Sequence, residues 1–149
     1  MKIIVHDLSK DDWQGLELRL REGDIVVSQD NNCDISDYID NCGQLVFISR
    51  CVYGSFSPFI KGVLDKCKAS YESKMELRLG QTHYGIKHEF KNAFVMICCF
   101  YGGNITALEE QSARVLALSN GVSLRAGAVR IFFYDTMEKI KQLNDNFLQ

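Results

Sequence analysis

Short apolar runs and stretches of helical periodicity alternate along the chain five times. Lys2 to His6 is an apolar run that predicts a first strand. Ser9 then stands before Lys10-Asp11-Asp12-Trp13, where carboxylates suit the first turn of a helix. Trp13, Leu16, Leu18 and Leu20 carry that helix to a stop near Gly23. Asp24 to Ser28 is a second, β-branched strand. Asn31 to Gly43 is polar, with Asp34 placed to cap a short helix through Ile35, Tyr38 and Ile39. Leu45 to Ser49 is the third strand, reading as one buried on both faces. Ser57 and Pro58 then open a helix to Cys67 whose apolar face is Phe59, Ile60, Val63 and Leu64.

The second half repeats the alternation. Lys68 to Asn92 has no clean period and reads as an excursion over the carboxyl edge of a sheet. Ala93 to Phe100 is the most hydrophobic run and predicts a central strand, followed by the turn Tyr101-Gly102-Gly103-Asn104. Thr106 and Glu109 spell a capping box that opens a helix through Ala107, Leu108, Val115, Leu116 and Leu118, closed at Asn120-Gly121. Ala128 to Tyr134 is a fifth strand, and Thr136 begins a final amphipathic helix. Five such alternations imply one α/β domain over residues 1–149, with a parallel sheet covered on both faces.

Composition narrows the function classes. The 149 residues are 46% hydrophobic and 24% charged, the balance of a globular chain. A net charge of −2 without a basic block argues against nucleic acid as a partner. No apolar run reaches the length that spans a bilayer, so no membrane is expected, and Lys2-Ile3-Ile4-Val5 shows no secretory pattern. A cytoplasmic location is the expectation. Of the six cysteines none forms a Cys-x-x-Cys pair, and Cys98 and Cys99 must face opposite ways on a strand. They read as free thiols, most of them buried as small hydrophobes. Cys51 stands beside Arg50 but without a local base, and reads as an inert packing residue. His6, His83 and His88 have no ligand-like spacing, so no metal is expected. No phosphate-binding P-loop or nucleophile elbow is present.

One motif carries a family likeness. Ser49-Arg50-Cys51-Val52-Tyr53-Gly54-Ser55-Phe56-Ser57, followed by Leu64-Asp65-Lys66, resembles the central motif of flavodoxin-like NAD(P)H-dependent oxidoreductases, the FMN reductase-like family. Arg50 stands where that family has Pro, and the aromatic is displaced by one place to Tyr53. Val5-His6-Asp7-Leu8 and Gly80-Gln81-Thr82-His83-Tyr84 resemble segments of a subset of the same family. The resemblance implies a flavodoxin-like three-layer sandwich with a five-stranded parallel sheet in the order 2-1-3-4-5. It implies FMN at the switch point between strands 1 and 3, reduced by NAD(P)H and passing electrons to a flavin, quinone or other small acceptor. The implied flavin contacts are Ser49, Arg50, Val52, Tyr53, Gly54 and Ser55 on one side, and Tyr101, Gly102 and Gly103 on the other. No side chain is assigned as an acid or base. A homodimer is also implied, through the helix that carries Phe59 and Ile60. The family's iron–sulfur relatives have a cysteine cluster that Cys33 and Cys42 are too far apart to supply.

The first loop departs from this pattern. Asp7, Asp11 and Asp12 fall where the family cradles the flavin phosphate, and three carboxylates repel a dianion. Two functions therefore stand open: an FMN-binding oxidoreductase, or a cofactor-free flavodoxin-like binding or assembly module that has lost the phosphate site.

Overall fold

The structure is a computed structural model. It describes residues 1–16, 18–79 and 94–141, the side chains of 74–79 excepted. The strands are β1 (Lys2–His6), β2 (Ile25–Val27), β3 (Gln44–Arg50), β4 (Val95–Tyr101) and β5 (Ala128–Tyr134). Among the described residues the helices are α1 (Lys10–Gln14), α2 (Pro58–Leu79), α3 (Ala107–Ser123) and α4 (Met137–Lys141), with a 3₁₀ turn at Ile39–Asn41. The sheet is parallel throughout and runs β2-β1-β3-β4-β5, the flavodoxin-like order expected.

Strand neighbours point to opposite faces, and the sequence fills both faces with apolar side chains. One row runs across the sheet as Val27, Val5, Phe47, Cys98 and Ile131. It faces α2 and α3, meeting Ile60, Leu64, Ala113 and Ala117. The alternate residues Ile4, Val46, Ile48, Ile97 and Cys99 face Leu8, Leu16 and Ile140, with Trp13 and Met137 at the margin. Cys98 and Cys99 thus enter separate cores, as strand geometry requires. All six cysteines are free; Cys42, Cys67, Cys98 and Cys99 are buried and Cys33 is exposed. No helix among the described residues is long and apolar enough to cross a membrane.

Four expectations need correction. The first helix stops at Gln14, because Gly15 takes the C-cap and Leu16 turns into the core. The helix after β3 does not end at Cys67 but runs on to Leu79. Ala69, Glu72, Met75, Glu76 and Leu77 are good helix formers, and helix propensity there outweighs the missing apolar period. Residues 68–79 are therefore not part of an irregular excursion, and its remainder, with His83 and His88, lies outside the described residues. Ile60 is fully buried and Phe59 is half-buried against the core, so Ile60 does not stand at an exposed helix start as expected.

The last correction concerns α3. Its capping box forms as read: the Thr106 hydroxyl accepts from the Glu109 N–H, and the Glu109 carboxylate from the Thr106 N–H. The helix passes through Asn120 and Gly121 to Ser123, and those two residues are buried along with Ala113 and Ala117. Its large apolar residues point the other way. Leu108 and Val122 are each 77% exposed, Val115 61% and Leu118 50%.

Candidate functional site

Ligands of open parallel sheets bind at the carboxyl ends of the strands, where the chain order reverses. Here that place lies between β1 and β3, and a single side chain spans it. The Asp7 carboxylate, just past β1, accepts from the Arg50 N–H at 2.8 Å and from the Tyr101 hydroxyl at 2.6 Å. The Asp7 N–H in turn reaches the Ile48 carbonyl at 3.2 Å. Asp7 therefore ties together the ends of β1, β3 and β4. Burial and this hydrogen bond both push the Tyr101 phenol well above its ordinary ionisation range.

Beneath Asp7 the imidazole of His6 is buried and lies flat on Trp13, with ring centroids 4.3 Å apart and planes 8° from parallel. Its Nδ1 accepts from the Leu8 N–H at 3.1 Å, which requires a bare nitrogen. Burial lowers its pKa, against the opposing pull of Asp7 and Asp30. The Ser9 hydroxyl accepts from the Asp12 N–H and caps α1.

The loop after β3 folds on itself. Val52 and Ser55 exchange backbone hydrogen bonds of 2.9 and 3.0 Å around Tyr53 and Gly54. Both central residues have positive φ, 50° and 77°, the geometry of a two-residue type I′ turn. Tyr53 is thrown outward and is 93% exposed. Gly54 presses on α3, where a Cβ would stand 2.9 Å from that of Ser112 and 3.1 Å from the Glu109 Cα. Phe56 turns inward onto Phe100, with centroids 4.8 Å apart, and pins the loop to the core.

Most of the remaining implied contacts are engaged within the protein. Buried Ser49 donates its hydroxyl to the Arg50 carbonyl and accepts from the Ser57 N–H, both at 2.9 Å. The Ser55 hydroxyl donates to the Val52 and Phe56 carbonyls. The Cys51 N–H bonds the Tyr101 carbonyl at 2.8 Å, and the Gly102 N–H the Tyr134 carbonyl at 3.1 Å, so the sheet ladder continues into both loops. Burial pushes the Cys51 thiol up, away from the reactive thiolate. Gly103 and the Arg50 side chain are exposed.

FMN held in the manner of the resembled family would meet two obstacles here. A dianionic phosphate would meet the Asp7 carboxylate and a five-residue helix whose first turn carries Asp11 and Asp12. A flavin ring seeks backbone N–H groups on its polar edge. The N–H groups of Arg50, Cys51, Val52, Ser55, Ser57 and Gly102 are all bonded internally. The residues present do not fit the group. Sequence reasoning brought Arg50, Tyr53 and Tyr101 to one edge correctly, but missed that Asp7 would join two of them. Its carboxylate was read only as a repulsive charge.

Elsewhere, a cleft of about 20 Å³ lies between Asn32–Ile35 and α2, lined also by Val63, Lys66 and Cys67. It has room for about one water molecule. Among the described residues no group of His, Cys, Asp and Glu could hold a metal ion. The chain matches no family model and no curated protein.

Proposed function

We propose that this domain is a cofactor-independent binding or assembly module built on a flavodoxin-like frame. The observation that carries the reading is the Asp7 carboxylate at the switch point, held by Arg50 and Tyr101. An internal anion takes the donors that an external one would need, and a charge-assisted pair of this kind is costly to break. The free thiols support a reducing, cytoplasmic setting. The test is a titration of FMN with the protein in large excess. Unchanged flavin fluorescence is the expected result; saturable quenching overturns the reading.

A second reading has one observation in its favour. Tyr53, a bulky residue held at positive φ and almost wholly exposed, is an aromatic face offered at the carboxyl edge beside Arg50. It suits the stacking of a planar ring, and it is the one feature of this edge that favours the FMN-dependent NAD(P)H oxidoreductase, against the misfit at the phosphate and at the bonded N–H groups. That reading requires quenching in the same titration, lost in Tyr53→Ala, and NAD(P)H oxidation by the FMN-loaded protein with a quinone or other small acceptor.

A further inference from the structure

We propose that the outer face of α3 is a self-association surface, on which the α3 of a second copy lies antiparallel. The proposal rests on the assembly-module reading and names its partner. Helices of monomers turn their large apolar residues inward, whereas α3 does the reverse. Its inner stripe is small, Ala113, Ala117 and Gly121 with Asn120, and lets the helix lie close on the sheet. Its outer stripe is Leu108, Gln111, Val115, Leu118 and Val122, spaced alternately three and four residues apart. That is the a/d spacing of a coiled-coil seam, the helix surface most specific for another helix of the same period. Four of the five are apolar, and all five are exposed.

Charge chooses the second copy and its direction. The first turn of α3 carries Glu109 and Glu110, Glu110 bridged to Arg114 one turn on at 3.3 Å, and Arg125, itself engaged within the protein, follows its C-cap. A parallel pair would set like charges and like helix ends together. An antiparallel pair sets acid against base and opposes the two dipoles. In the register that pairs Val115 of one copy with Leu118 of the other, Val122 meets Gln111 and Arg125 comes level with Leu108 and Glu109. The arrangement is two-fold and self-complementary, so it closes at two copies. A 17-residue helix is about 25 Å long and about 10 Å wide. This face therefore falls short of the roughly 800 Å² per partner of a stable interface, and the dimer is a weak one.

Sedimentation equilibrium of the full chain from about 10 μM to about 1 mM, a range that brackets weak association, reads the outcome. The expected result is a reversible dimer. Val115→Glu or Leu118→Glu bury an unpaired charge in the seam and raise the dissociation constant at least about a hundredfold. Leu20→Glu, at an exposed leucine outside α3, leaves it unchanged. Both seam positions are exposed in one copy, so circular dichroism of the variants stays that of the parent. A monomer throughout the range, a dimer that survives both seam variants, or one that Leu20→Glu also dissolves overturns the proposal. Adding FMN to the same cells separates the two readings. A monomer that leaves flavin fluorescence unchanged defeats the dimer alone, whereas quenching defeats the module reading.

Discussion

Gly121 of α3 lies against Val129 of β5 so closely that a Cβ on the glycine would overlap the valine's Cγ2. In an exposed helix, Gly→Ala stabilises by about 1 kcal/mol. Here the sign reverses, because α3 must lift from the sheet or Val129 must leave its rotamer. Gly121→Ala is expected to cost about 1–3 kcal/mol in urea unfolding, as overpacked cores do. Val129→Ala removes the obstructing methyl, so the double variant recovers part of that loss.

The Asp7–Tyr101 pair is expected to behave as a coupled unit. Tyr101→Phe removes a hydrogen bond to a charged group and costs about 2 kcal/mol. Asp7→Ala costs more, since it also strands the Arg50 N–H. A double-variant cycle is expected to give a coupling of about 1–2 kcal/mol; additive effects would show that the contact contributes nothing to the fold. Because Asp7 helps hold the phenol protonated, Asp7→Asn lowers the pH at which Tyr101 ionises in an alkaline absorbance titration.

Gly54 and Gly23 form a controlled comparison. Both have positive φ, 77° and 93°. A Cβ at Gly23 meets nothing within 4 Å, whereas one at Gly54 meets α3. Gly23→Ala is expected to cost only the conformational term of about 1–2 kcal/mol. Gly54→Ala adds a steric term and costs more, measured by the unfolding midpoints of the two variants.

Acid is expected to weaken the domain through His6. Its folded pKa is lowered by burial, so below the ordinary value of 6.5 the unfolded chain binds a proton that the folded one refuses. The contribution is fully present above that value and is lost as pH falls through the window beneath it. Unfolding midpoints between pH 8 and pH 4, followed through the fluorescence of Trp13, the one tryptophan, read the slope. His6→Gln is expected to flatten that slope, which separates His6 from the other titrating groups.

How much of this was legible follows from the physics of each feature. The five strands were readable because Ile3-Ile4-Val5 and Val46-Phe47-Ile48 are apolar on both faces, which leaves few alternatives to a covered parallel sheet. The capping box at Thr106 and Glu109 was readable because it is local. The orientation of α3 was not. Leu108, Val115 and Leu118 have the period of a buried face, and only Ala113, Ala117 and Gly121 hint that close approach fills the core instead. The continuation of α2 was hidden because propensity without amphipathicity leaves no periodic trace. The closure at Asp7 joins positions 43 and 94 residues distant in the chain, and no local pattern announces such a bond.

Gly54 also has a mechanical consequence. The corner of the turn that presents Tyr53 rests directly on the backbone of α3 at Glu109. A displacement of α3 is therefore expected to be felt by the loop, and through it by the tyrosine ring at the sheet's rim. Tyr53 is thus a built-in pointer, whose nuclear magnetic resonance signals can register a docking event that never touches it.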